Sequence, residues 1–252
     1  MNLLDRPFVI LAGSFVALVL AAVAGDFVRS KTRLVTEAQR SDLSMVLTAM
    51  LTLLGLLIGF TFAMATNRYD QRKNYEEAEA NAIGTEYLRA QLLPTADVPR
   101  VQQLLVRYLD ARIAHYNLRD SSRLEQVDAD TAELQNQLWT AVLPKGEAQT
   151  TAVYALVVAG MNDVLNSQGY TQAAWWNRIP HTAWALVGFI AVSCSFLIGY
   201  SGHHRGWGTF LIVPIAVSIA LFLIADIDSP RAGLITVAPQ NLLAVAQSIR
   251  PH

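Results

Sequence analysis

Apolar and polar positions alternate along this chain in long blocks: four charge-free runs surround one extended polar stretch. The first run, Pro7 to Ala24 (PFVILAGSFVALVLAAVA), has 18 uncharged residues, close to the shortest helix able to cross a hydrocarbon layer of ~30 Å. A signal peptide usually has a positive start and an apolar region of about 7–15 residues. Asp5 beside Arg6 gives no such start, so a retained span is predicted, although Ala22-Val23-Ala24 would suit a cleavage site. The second run, Leu43 to Thr66, has 24 uncharged residues and as a helix would extend ~36 Å. Thr182–Tyr200 and Gly206–Ala225 follow, joined by a short SGHHR turn that predicts an antiparallel hairpin. Trp175, Trp176 and Trp184 mark one end of that pair, and Tyr200 and Trp207 the other. Amphipathic rings favour headgroup depth, which supports two crossings. Pro214 falls inside the fourth run, where a kink is expected.

The polar stretch, Asn67 to His181, reads as helices. Asn67–Leu93 lacks proline and predicts a continuation of the second span, ended by Pro94 and Pro99. Val101, Leu104, Leu105, Tyr108, Leu109 and Ile113 repeat at helical spacing and predict a one-faced helix over Val101–Tyr116. Leu124–Leu143 and Glu147–Asn166 are further helices, separated by the breaker Pro144-Lys145-Gly146. The predicted fold is an all-α integral membrane protein with four transmembrane helices per subunit and a helical extramembrane domain into which the second span continues. Its parts are 1–66 (spans 7–24 and 43–66), the domain 67–181, the hairpin 182–225 (spans 182–200 and 206–225) and a C-terminal tail 226–252. Four spans put both termini and the domain on one side of the membrane. Flanking basic residues number five on the far side and six on the near side, too even for the positive-inside rule to orient the chain. The domain is taken as cytoplasmic.

Composition narrows the function. Only 15% of the 252 residues are charged, against 53% hydrophobic, whereas a soluble domain is roughly 25% charged. The polar stretch holds 11 basic and 14 acidic residues, which offers no basic face for nucleic acid. Cys194 is a lone cysteine inside an apolar run, a packing residue rather than a nucleophile. His203 and His204 are adjacent without a nearby cysteine or acid, a weak metal motif. No zinc-protease, calcium-loop, phosphate-loop or nucleophile-elbow motif occurs, so an enzyme is not expected.

Several residues carry candidate chemistry. Gly55 and Gly59 stand four apart in the second span, a spacing that allows close helix approach but also reflects the ordinary glycine content of membrane helices. Leu54, Ile58 and Phe62 make an apolar stripe leading to Arg68, Arg72 and Lys73. Around an axis shared by several copies, that stripe would form a dewetting constriction with an anion-concentrating entrance; the same residues could equally face lipid. Arg72/Glu76 and Lys73/Glu77 form i,i+4 pairs, worth ~0.2–0.5 kcal/mol each on a solvated helix. Within the same helix, Asn81 and Gly84 predict a close helix contact. Asp226 and Asp228 stand where the fourth run ends and must reach water, a cation or a basic partner such as Arg231. Two carboxylates fall short of the six to eight oxygens calcium takes, so a calcium site there would need further ligands.

The run from Gly55 to Pro94, with EANAIGT at Glu79–Thr85 as its core, is similar to the signature of the bestrophin-like family. RYLDARI, Arg107–Ile113, resembles that family's following helix, and DIDSPRAG, Asp226–Gly233, its C-terminal signature. The resemblance marks Glu79, Asn81 and Gly84 as motif residues. Through the distant likeness to bestrophins it implies an oligomeric, mostly pentameric, ion channel for inorganic anions in the lipid bilayer, with a neck at Leu54, Ile58 and Phe62. A bacterial inner-membrane location goes with it. No cofactor is implied apart from calcium at Asp226 and Asp228, whose acidic cluster is shorter here than in animal bestrophins. The alternative is a non-conducting membrane scaffold or sensor whose helical domain binds a partner.

Overall fold

The computed structural model describes residues 6–31, 37–118, 121–143, 151–202 and 207–250. Among them every regular element is a helix: α1 Pro7–Lys31, α2 Glu37–Arg89, α3 Val98–Asn117, α4 Ser121–Val142, α5 Ala152–Trp176, α6 His181–Ser201, α7 Trp207–Asp228 and α8 Gln240–Ile249. Four stretches are long and apolar enough to cross a membrane: α1, the α2 stretch, the α5–α6 stretch and α7. The His203–His204 pair, most of the SGHHR turn and the Pro144-Lys145-Gly146 breaker lie outside the described residues.

α2 has 53 residues, about 80 Å of uninterrupted helix. It is the second span fused to the polar helices, and it closes in a short 3-10 turn, Ala90–Leu92, before Pro94. α7 likewise runs on through Pro214 and takes in Asp226 and Asp228, past the end of the apolar run. α6 ends at Gly202, whose left-handed φ of 63° favours glycine.

Contacts divide the chain into two units: Met1–Tyr69 with Arg178–Thr236, and Asp70–Asn177 with Val237–His252. In the first unit α1 packs on α6 and α7. Leu18 of α1, Leu54 of α2, Val187, Ile190, Ala191 and Cys194 of α6, and Val217 and Leu221 of α7 fill its centre. Packing between α1 and α6 is at backbone contact: a Cβ at Gly25 would overlap the Phe196 carbonyl, and one at Gly199 the Ala22 carbonyl. A Cβ at Gly55 or Gly59, the pair singled out by spacing, would meet nothing within 4 Å, and both glycines stand on the open side of α2.

In the second unit the polar half of α2 meets α3, α5 and α8, while α3 packs on α4 and α8, and α4 on α5. Buried Ile83, Val101, Leu105, Leu109, Leu138, Val157, Met161 and Leu242 make an apolar core for it. The residues after 226, expected as a tail, are built into both units: 226–236 belongs to the first, and α8 is an amphipathic helix of the second with Leu242 and Ala246 turned inward.

Candidate functional site

The candidate site is the length of α2, and its faces are set by helical phase. Each step of four residues turns a helix about 40° beyond a full turn. The stripe Leu54, Ile58, Phe62 therefore rotates by about 80° from its first member to its last. Leu54 is 2% exposed and sits at the centre of its own bundle. Ile58 is half-buried, between that cluster and a second one of Ala65, Ile179, Ile224 and Ile227. Phe62 is 42% exposed. Of the three neck candidates only Phe62 has its ring on the open face, together with Leu56, Phe60, Gly59 and Ala63. Leu54 is a packing residue of the subunit core.

The entrance charges separate in the same way. Lys73 is exposed, Arg68 is half-buried, and Arg72 is 1% exposed, among the largest wholly buried side chains. Arg72 and Glu76 are thus not a solvated surface pair. Glu76 is buried and spans the start of α8, accepting the backbone N–H groups of Asn241 and Leu242, each at 3.0 Å, and the Asn241 side-chain amide at 2.6 Å. A carboxylate from one helix here caps the positive N-terminal end of another.

One turn further, Glu79 accepts from the Arg112 guanidinium of α3 and from the Thr171 hydroxyl of α5 at 3.1 Å. Both ion-pair partners are wholly buried. Desolvation works against the charge on Arg112, yet the Glu79 carboxylate more than offsets it and raises the pKa. Burial, reinforced by the same carboxylate, also pushes the Tyr108 and Tyr116 phenols up, so both stay neutral. Gly84 rests against Val245 of α8, where an added Cβ would meet the valine methyls at 3.4 Å. Asn81, the third motif residue, is exposed. The structure therefore brings Glu79 and Gly84 into the helix contacts and leaves Asn81 outside.

Asp226 and Asp228 end α7, and their oxygens face backbone donors. Asp226 accepts from Leu234 N–H at 2.7 Å and Ile235 N–H at 2.9 Å, with Gly233 pressed against its carbonyl. Asp228 accepts from the Arg178 side chain at 3.0 Å and from Ile179 N–H at 3.2 Å. The two acids tie down the chain leaving α7 and the chain entering α6. Oxygens already aimed at N–H donors do not form a cation cradle. Among the described residues no group of three or more His, Cys, Asp or Glu side chains is placed to hold a metal ion.

A family model described as a Bestrophin-like domain matches residues 15–242. The chain belongs to the bestrophin-like family. Among solved structures, this bestrophin-like chain is similar to a bacterial bestrophin homolog from Klebsiella pneumoniae with an isoleucine-to-threonine mutation, at 13% identity over 96% of this chain and 97% of that one, with TM-score 0.61. A leucine-to-threonine mutant of the Klebsiella pneumoniae homolog matches at 15% identity over 96% of both chains, with TM-score 0.60. A structure described as a membrane protein with a glycine-to-alanine mutation matches at 13% identity, 97% and 96% coverage and TM-score 0.62. At such identities the likeness is one of fold. No curated protein matches.

Spacing and charge did not single out Gly25 and Gly199, which bring α1 against α6, Arg112, which pairs with Glu79 of α2, or Arg178, which pairs with Asp228 of α7 in this bestrophin-like chain. A usable signal existed for the acids. Positions 54, 61, 65, 72, 76, 79, 83, 86 and 90 continue one buried helical stripe, so Arg72, Glu76, Glu79 and Glu86 lie on the face that Leu54 buries.

Proposed function

We propose that this bestrophin-like chain assembles into a homo-oligomer, with five copies as the working number, that conducts ions passively across a bacterial inner membrane, anions in preference, through a pore lined by α2. The observation that carries this reading is the open face of α2. Within the span it presents Leu56, Phe60 and Phe62 beside the small Gly59 and Ala63, and just past the span it carries exposed Lys73, with half-buried Arg68 at the edge of the buried stripe. The centre of a single subunit is filled by Leu54 and its neighbours, so a path needs several copies. Around a shared axis Phe62, with Ile58 behind it, would form an apolar constriction that opens and closes by wetting. Arg68 and Lys73 would raise the anion concentration at its mouth.

Purified oligomer in planar bilayers tests the reading. Unitary currents are expected, with Phe62→Ala changing gating or conductance. Leu54→Ala should leave selectivity intact and instead destabilise the subunit by about 2–5 kcal/mol through the cavity it opens. An assembled oligomer silent at every voltage, with or without calcium, would favour the non-conducting scaffold or sensor.

A further inference from the structure

Among the described residues, Glu86 is the one acid on the buried stripe of α2 that neither caps a helix end nor accepts an ion-pair hydrogen bond. Its side chain is wholly buried, and both carboxyl oxygens lack a hydrogen-bond partner. It lies against α5 at Gly160, where a Cβ would overlap the Glu86 Oε2 atom and crowd the Arg89 guanidinium. Arg89, one turn along α2 and partly exposed, approaches only to 4.0 Å, beyond hydrogen-bonding reach. From α5, Asp163 adds a like charge. On α3, Arg112 is held by Glu79, and Arg250 beyond α8 is held by Asp110.

An ionised carboxylate without donors is far more costly in such a place than a neutral carboxyl, although the neutral form also leaves its O–H unpaired. We propose that Glu86 is a proton-operated latch between α2 and α5: neutral, it packs against Gly160; ionised, it raises the population of a minor open state in which it turns to Arg89 and the solvent and α5 loosens from α2. The proposal concerns the polar helical unit alone and stands whether or not the chain conducts.

Its pH window follows from linkage. Burial, opposed by Arg89 and reinforced by Asp163, pushes the Glu86 pKa up from 4.5 to about 8. A carboxyl whose folded pKa is raised stabilises the closed contact below its ordinary pKa and loses that effect as pH climbs toward the raised one. Opening is therefore favoured about tenfold per pH unit between 4.5 and about 8, and is level below and above that range.

Hydrogen exchange of the full-length protein in detergent or nanodiscs, corrected for the chemical exchange rate, reads this directly on peptides covering residues 80–92 and 152–164. Between about pH 6 and 8 wild-type protection should fall about tenfold per unit and then level off. Glu86→Gln should hold its low-pH protection across the whole range. Arg89→Leu, which removes the group favouring ionisation, should move the plateau to higher pH. Wild-type protection independent of pH, an unchanged slope in Glu86→Gln, or an unmoved plateau in Arg89→Leu would each overturn the proposal. Should Glu86→Gln fail to fold, the wild-type infrared difference spectrum decides: a protonated-carboxyl band lost with a midpoint at about pH 8 is required, and its absence refutes the latch.

Discussion

Glu79 and Arg112 form a buried ion pair in which each charge compensates the other, although Arg112 Nη1 has no hydrogen-bond partner. Both side chains are excluded from solvent, and Thr171 satisfies a remaining lone pair of the carboxylate. Removing one partner of such a pair typically costs about 3–5 kcal/mol, because the other charge is left buried and unpaired. Arg112→Met should lower the thermal unfolding midpoint of the detergent-solubilised protein accordingly, and the Glu79→Met/Arg112→Met double variant should recover most of the loss. A double variant no better than Arg112→Met would show that the charges matter separately. The EANAIGT motif made Glu79 visible in the sequence, and RYLDARI contains Arg112, but nothing in either stretch pairs the two, since Arg112 lies 33 residues on. Asp226 and Asp228 were visible as costly acids at a membrane edge. Their partners are mostly backbone N–H groups, which every sequence offers and none advertises.

At the scale of elements, the spans and the α2 continuation were legible because both rest on composition over many residues: absence of charge within the membrane, absence of proline beyond it. Packing partners were not. Glycine spacing marked Gly55 and Gly59, which face open space, while Gly25 and Gly199, on different helices, let α1 and α6 touch. A small residue shows where a neighbour can approach, not where one does. Gly199→Val should therefore force α1 off α6, at a cost of about 1–3 kcal/mol from overpacking, seen as a lower unfolding midpoint. Gly55→Ala should leave the isolated subunit's stability unchanged. Equal effects from the two would contradict this assignment. α8 escaped notice for a different reason: it has only 10 residues, and its start is fixed by Glu76 from α2 rather than by a cap of its own.

For the whole molecule, α2 is one helix that carries the second span and contributes its polar half to the second unit. One of its faces is buried along its length, by leucine and small residues in the span and by Arg72, Glu76, Glu79 and Glu86 beyond it. The opposite face is left open in the single chain. Apolar character alone does not say whether such a face meets lipid, another subunit, a pore or the subunit's own core, and the last is where Leu54 lies. A density map of the assembled oligomer in a bilayer tests the central claim most directly. The account predicts α2 innermost, with Phe62 directed at the symmetry axis and Leu54 turned away from it into its own bundle. A map with α2 on the lipid-facing perimeter, or with another helix nearest the axis, would contradict it.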